Sequence, residues 1–178
     1  LAMIADEIKR KDLDGQVAEL GVAEGKFSAV INALFPEKKL YLFDTFEGFP
    51  DSDLDYERKC GYSDQQRGTY SGIEIEDVLR KMKYPKNCII RKGYFPETAK
   101  GLEETFCFVS IDCDLYNPIY AGLSYFYPRV ISGGYIFVHD YRSKYYRGVK
   151  EALIRFAEEF GISYCVLPDN TGTAILVK

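Results

Sequence analysis

The six residues FCFVSI at positions 106–111 constrain the fold more than any other stretch. Each is apolar or small, with none of the alternation expected of a strand that has one wet face. Such a run suits a strand covered on both sides, the usual state of a central strand in a parallel sheet. Asp112 and Asp114 follow at once, one residue apart, and the segment closes on Asn117-Pro118. A buried charge is costly unless something pairs with it. The fold must therefore place a partner beside these two carboxylates.

The flanking sequence supports a parallel sheet. Strand patterns at residues 16–20, 39–43, 88–91 and 135–138 alternate with helical patterns at 26–34, 74–83, 118–126 and 148–160. An amphipathic helix is also expected at the N-terminus. Alternating strands and helices predict an α/β fold with helices on both faces of the sheet. Residues 162–167 and 173–177 read as two closing strands with no room for a crossover helix, so they should pair antiparallel. The chain's 178 residues favour a single domain spanning 1–178. Residues 51–72 break the pattern. They are polar and long for a connection, which predicts a lid loop, or else a solvated insertion.

Composition excludes several functions. Lys and Arg total 23 against 27 Asp and Glu, with no basic run, so a nucleic-acid surface is not expected. No apolar stretch approaches the roughly 20 residues of a membrane span. Five cysteines without paired spacing fit a reducing cytoplasm better than a disulfide scaffold. The chain opens on Leu1, which is the expectation for a trimmed N-terminus.

The turn after the first strand reads Glu19-Leu-Gly21-Val-Ala-Glu-Gly25. Glycines allow a tight turn and close approach of a ligand. The dinucleotide fingerprint is absent, because Glu19 occupies the place of its first glycine. A carboxylate there would repel a pyrophosphate, but it suits an ammonium or a sulfonium. Asp44 ends the second strand, where an acid can accept hydrogen bonds from ribose hydroxyls. Together Glu19, Gly21, Gly25 and Asp44 point to a nucleoside with a positive, non-phosphate tail, such as S-adenosylmethionine. Taken alone, Gly21 would be an ordinary turn glycine.

Five segments in order, VAELGVAEG, LYLFDTFEGFP, KGYFPET, VSIDCDLYNP and GGYIFVHDY, closely resemble the macrocin O-methyltransferase family. The resemblance implies a Rossmann-like class I methyltransferase fold. Its sheet is seven-stranded and mostly parallel, with an antiparallel last strand. It also implies S-adenosylmethionine, a divalent metal such as magnesium, and a sugar-containing small-molecule acceptor. Family members usually carry additional N-terminal helices, which are largely absent from this sequence. Phe46 and Tyr94 are expected near the ribose or adenine. A homo-oligomer is left open.

By this similarity Asp112 and Asp140 correspond to metal ligands and Asp114 to the general base. Residues i and i+2 of an extended segment point the same way, so Asp112 and Asp114 can face one pocket. His139 stands where antibiotic-sugar members commonly have Asp. Imidazole is a poorer ligand for magnesium than for manganese, iron or zinc. Either His139 binds the metal or it is a structural neighbour. Asp114 could otherwise cap the helix opened by Asn117-Pro118. Two other functions compete: a non-catalytic nucleoside-binding Rossmann-like domain, and a metal-dependent hydrolase using Asp112, His139 and Asp140.

Overall fold

The computed structural model describes residues 1–178. After helix α1 (Ala2–Arg10), the chain alternates as the patterning predicts. Strand β1 (Gln16–Leu20) leads to α2 (Lys26–Leu34), and β2 (Leu40–Asp44) to α3 (Asp51–Cys60) and α4 (Ile75–Arg80). Next come β3 (Cys88–Lys92), β4 (Phe106–Ile111), α5 (Tyr116–Phe126), β5 (Val130–Val138) and α6 (Arg147–Phe160). Two short strands, β6 (Cys165–Val166) and β7 (Ala174–Val177), close the chain. The seven strands form one sheet in the order β3-β2-β1-β4-β5-β7-β6. The first five pair in parallel, and β7 lies antiparallel between β5 and β6.

Period-two alternation sorts each central strand between two cores. In β2, Tyr41 and Phe43 enter the core packed by α5 and α6, whereas Leu40 and Leu42 enter the core packed by α1 and α2. Strand β4 is buried at all six positions, as its sequence requires. It does not alternate strictly, because the register slips at Cys107, which leaves Phe106 facing the same core as Val109 and Ile111. Strand β5 begins at Val130, earlier than the sequence pattern shows, but its regular pairing with β4 starts at Tyr135.

The connection after β2 differs from expectation. Its first half is helix α3 rather than loop. The local signals are legible in retrospect. Asp51 and Asp53 lie in the first turn, Arg58 and Lys59 in the last, and Gly61 ends the helix in the left-handed region. The strand order reverses between β1 and β4, where connections leave in opposite directions and open a crevice at the carboxyl ends of the strands.

Candidate active site

At that crevice two strand ends touch. The Asp112 amide donates to the Leu20 carbonyl at 2.7 Å, and the Gly21 amide donates to the Phe43 carbonyl at 2.9 Å. Gly21 has φ +88, and a Cβ there would stand 2.1 Å from the Asp112 carbonyl oxygen. Only glycine fits where the turn after β1 crosses the segment after β4. Gly25 differs. Its φ of +73 opens α2, and a Cβ would strike the Val78 side chain at 2.6 Å, so its bareness serves packing against α4.

A cleft of about 370 Å³ opens over this crossing. Glu19, Gly21, Asp44, Tyr94, Asp112, Asp114 and Asp140 all line it. Phe46, expected as a cofactor contact, does not. It is buried in the core beside α2 and α4, and its φ of +56 turns it away, so Phe49 lines the cleft instead. The Asp44 carboxylate braces the glycine turn. Oδ2 accepts from the amides of Val22 (2.7 Å) and Ala23 (2.9 Å), and Oδ1 from that of Phe46 (2.7 Å). A carboxylate has about four acceptor sites, so about one remains for a ligand hydroxyl. Glu19 is buried at the cleft floor and accepts a hydrogen bond from Ser28. Burial holds its carboxyl well above the usual range, against the opposing pull of Ser28, and Asp112 and Asp44 push it further up.

The carboxylates that end β4 and β5 converge. One oxygen each from Asp112, Asp114 and Asp140 lies within 4.8 Å of the others. Asp114 and Asp140 adopt φ of +62 and +60, conformations uncommon for residues with a Cβ and frequently found at functional sites. Burial raises the Asp114 carboxyl well above its usual range, and the charges of Asp112 and Asp140 add to the rise. Burial also raises Asp112, with the nearby His139 opposing and Asp140 reinforcing. Three close carboxylates can all ionise only beside a cation. This oxygen-only donor set suits magnesium or manganese.

His139 stands outside the carboxylate trio and does not line the cleft. Its ring meets Phe27 edge-on at 4.9 Å. Its Nδ1 lies 3.5 Å from the Thr173 hydroxyl, which itself donates to Asp169 at 2.6 Å. Its Nε2 is buried without a protein partner.

Sequence patterning did not disclose the support behind the trio. Asp53 and Glu57 are one turn apart on α3, and both are buried. Asp53 accepts from the Tyr94 hydroxyl at 3.1 Å and from Asn117 Nδ2 at 2.9 Å. Glu57 Oε1 accepts from the Tyr116 amide at 2.8 Å, capping α5 from a different helix. Two carboxylates that read as surface residues thus hold the start of α5, just after Asp112 and Asp114, and Asp53 also lines the cleft. Above the trio, the hydroxyls of Tyr70 and Tyr146 lie 3.3 Å apart. Asp114 and Asp140 stand close enough to Tyr146 to raise its phenol, after burial.

Comparison with known proteins bears on the family and the fold. The family profile described as Macrocin-O-methyltransferase (TylF) matches residues 1–173. Demethyldecarbamoylnovobiocin O-methyltransferase of Streptomyces niveus is 23% identical over 147 residues, which cover 76% of this chain. The match spans 56% of that relative's length. The solved O-methyltransferase NovP superposes with a TM-score of 0.84 at 21% identity, covering 99% of this chain and 77% of that one. The calicheamicin methyltransferase CalS11 gives 0.76 at 20% identity, over 99% and 77%. At these identities the superpositions show a common fold, while the profile covers nearly the whole chain. The protein belongs to the macrocin O-methyltransferase family.

Proposed function

We propose that the chain is the catalytic part of an S-adenosylmethionine-dependent, divalent-metal-dependent O-methyltransferase. Its acceptor would be a hydroxyl of a sugar or related polyhydroxyl natural product. The observation that carries this reading is the Asp112–Asp114–Asp140 trio opening into the same cleft as the Glu19–Gly21–Asp44 turn. One half of the cleft suits a nucleoside with a positive tail, and the other suits a cation beside a base. The novobiocin and calicheamicin enzymes act, by their names, on natural products, which supports the acceptor class.

Each residue has a definite task in this reading. Glu19 faces the positive end of the cofactor, and its charge is tolerable once an ammonium or sulfonium replaces the lost water. Asp44 holds the glycine turn and offers its remaining lone pair to a ribose hydroxyl. Tyr94 and Phe49 flank the base. Asp112 and Asp140 would hold the metal, with His139 a neighbour outside the donor set. A bound divalent cation orients the acceptor and lowers the pKa of its hydroxyl. Asp114 accepts that proton as oxygen approaches the methyl group in line. No helix is long and apolar enough to cross a membrane.

Calorimetry and turnover assays on Asp112→Asn and Asp114→Asn test this assignment. Asp112→Asn should lose metal affinity and activity together. Asp114→Asn should keep S-adenosylhomocysteine affinity and lose about 10²–10⁴-fold in turnover. Wild-type turnover in Asp114→Asn would remove it as the base.

A further inference from the structure

Helix α3 brings to the cleft a carboxylate that the methyl-transfer reading leaves unused. Asp53, in the first turn of that helix, lines the cleft and is otherwise buried. Its sequence neighbours Asp51 and Asp55 face solvent. Glu57, one turn later, is as deeply buried, but it does not line the cleft and caps α5 instead. One acid of α3 is therefore presented to the cleft.

Asp53 has no cation beside it, since it enters none of the protein's ion pairs. Its side-chain partners are neutral: the Tyr94 hydroxyl, 3.1 Å from both carboxylate oxygens, and Asn117 Nδ2 at 2.9 Å. One phenol proton and one amide proton occupy about two of a carboxylate's roughly four acceptor sites. A buried carboxylate that lacks a cation is costly, and a further N–H donor entering from the cleft would reduce that cost.

The order of the sheet says which ligand group arrives there. Strand ends follow one another along the crevice as β3, β2, β1, β4 and β5. In the methyltransferase reading the positive tail of the cofactor lies at Glu19, on β1, and the ribose at Asp44, on β2. The base, on the far side of the ribose, then extends toward β3. There the Gly93 amide donates to the Asp44 carbonyl at 2.9 Å, and the next residue, Tyr94, reaches Asp53. The surrounding walls are apolar, from Phe43, Phe49, Phe95, Leu115 and Pro118. Such walls suit a flat aromatic base and keep water from its edge, where a hydrogen bond to a charged group is strengthened by the low dielectric.

Adenine carries a matching group at its edge, an exocyclic amine with N–H donors. We propose that Asp53 is the residue that makes the cofactor site specific for adenine, by accepting a hydrogen bond from that amine while Tyr94 and Asn117 hold the carboxylate in place. The proposal rests on the methyltransferase reading and adds to it the group that reads the base.

Calorimetry in metal-free buffer tests it with two ligands: S-adenosylhomocysteine and its 6-desamino analogue, in which hydrogen replaces the exocyclic amine. Wild-type protein should bind the analogue about 10–150-fold more weakly, the range for a hydrogen bond to a charged group. Asp53→Asn keeps the size of the side chain but removes the charge, and it should bring the two affinities within about threefold of each other. Equal wild-type affinity for the two ligands overturns the assignment without recourse to any variant. So does a preference for the amine that survives in Asp53→Asn, because a residue that only braces α5 would weaken both ligands alike and leave their ratio unchanged. If wild-type protein binds neither ligand, the methyltransferase reading itself fails.

Discussion

Replacing Gly21 by alanine should disable the site while leaving the protein folded. The added Cβ would lie 2.1 Å from the Asp112 carbonyl oxygen, 2.5 Å from its carbon and 2.9 Å from the Cys113 nitrogen. All three are backbone atoms, so no side chain can swing aside. At φ +88 a residue with a Cβ costs about 1–2 kcal/mol in backbone strain. Restoring normal contact requires β1 and β4 to part by about 1 Å at their ends. That strains the 2.7 Å bond from the Asp112 amide to Leu20, worth about 0.5–1.5 kcal/mol. The total, about 1.5–3.5 kcal/mol, is smaller than the usual stability of about 5–15 kcal/mol, so urea denaturation should still show a cooperative transition at lower midpoint. Function should suffer more. A displacement of about 1 Å at Asp112 and Asp114 can remove about 10²-fold in turnover. Gly61→Ala is the control. Its φ is +69 but nothing lies within 4 Å, so it should lose about 1 kcal/mol of stability and no activity. Wild-type cofactor affinity and turnover in Gly21→Ala would refute the view that this contact sets the site.

Burial raises the Glu19 carboxyl and the cofactor's ammonium should draw it back down, so cofactor binding should release a proton as pH falls through the raised range, and affinity should rise with pH there. Calorimetry in buffers of different ionisation enthalpy should detect that proton, and Glu19→Gln should abolish it. The same raised pKa makes Glu19 stabilising below about pH 4.5, a contribution lost as pH rises through the folded value, so Glu19→Gln should flatten that part of the stability profile. Hydrogen exchange should divide residues 51–72 in two. The helical part, tied down by Asp53 and Glu57, should be protected throughout, whereas residues 61–72 should slow only when cofactor and acceptor bind. Uniform exchange across both parts would contradict the division.

Much of this protein is legible in its residues. The fully apolar β4, the helical periodicity of α6 and the alternation of elements require a parallel sheet with two covered faces, because only that arrangement buries such strands. The acids and glycine at strand ends, Glu19, Gly21, Asp44, Asp112, Asp114 and Asp140, fall in one cleft because parallel strands deliver all their carboxyl ends to the same edge. What needed the tertiary structure depends on contacts between distant segments. Phe46 and Phe49 look equivalent in sequence, and only the positive φ of Phe46 sends one to the core and the other to the cleft. That Gly25 must also be bare for α4 to pack on it shows only in the tertiary structure. Asp53 and Glu57 look solvated because their partners, Asn117 and the Tyr116 amide, lie about 60 residues away in the chain. Local periodicity reports which face of an element is apolar. It carries no record of which buried polar group will find a partner across the fold.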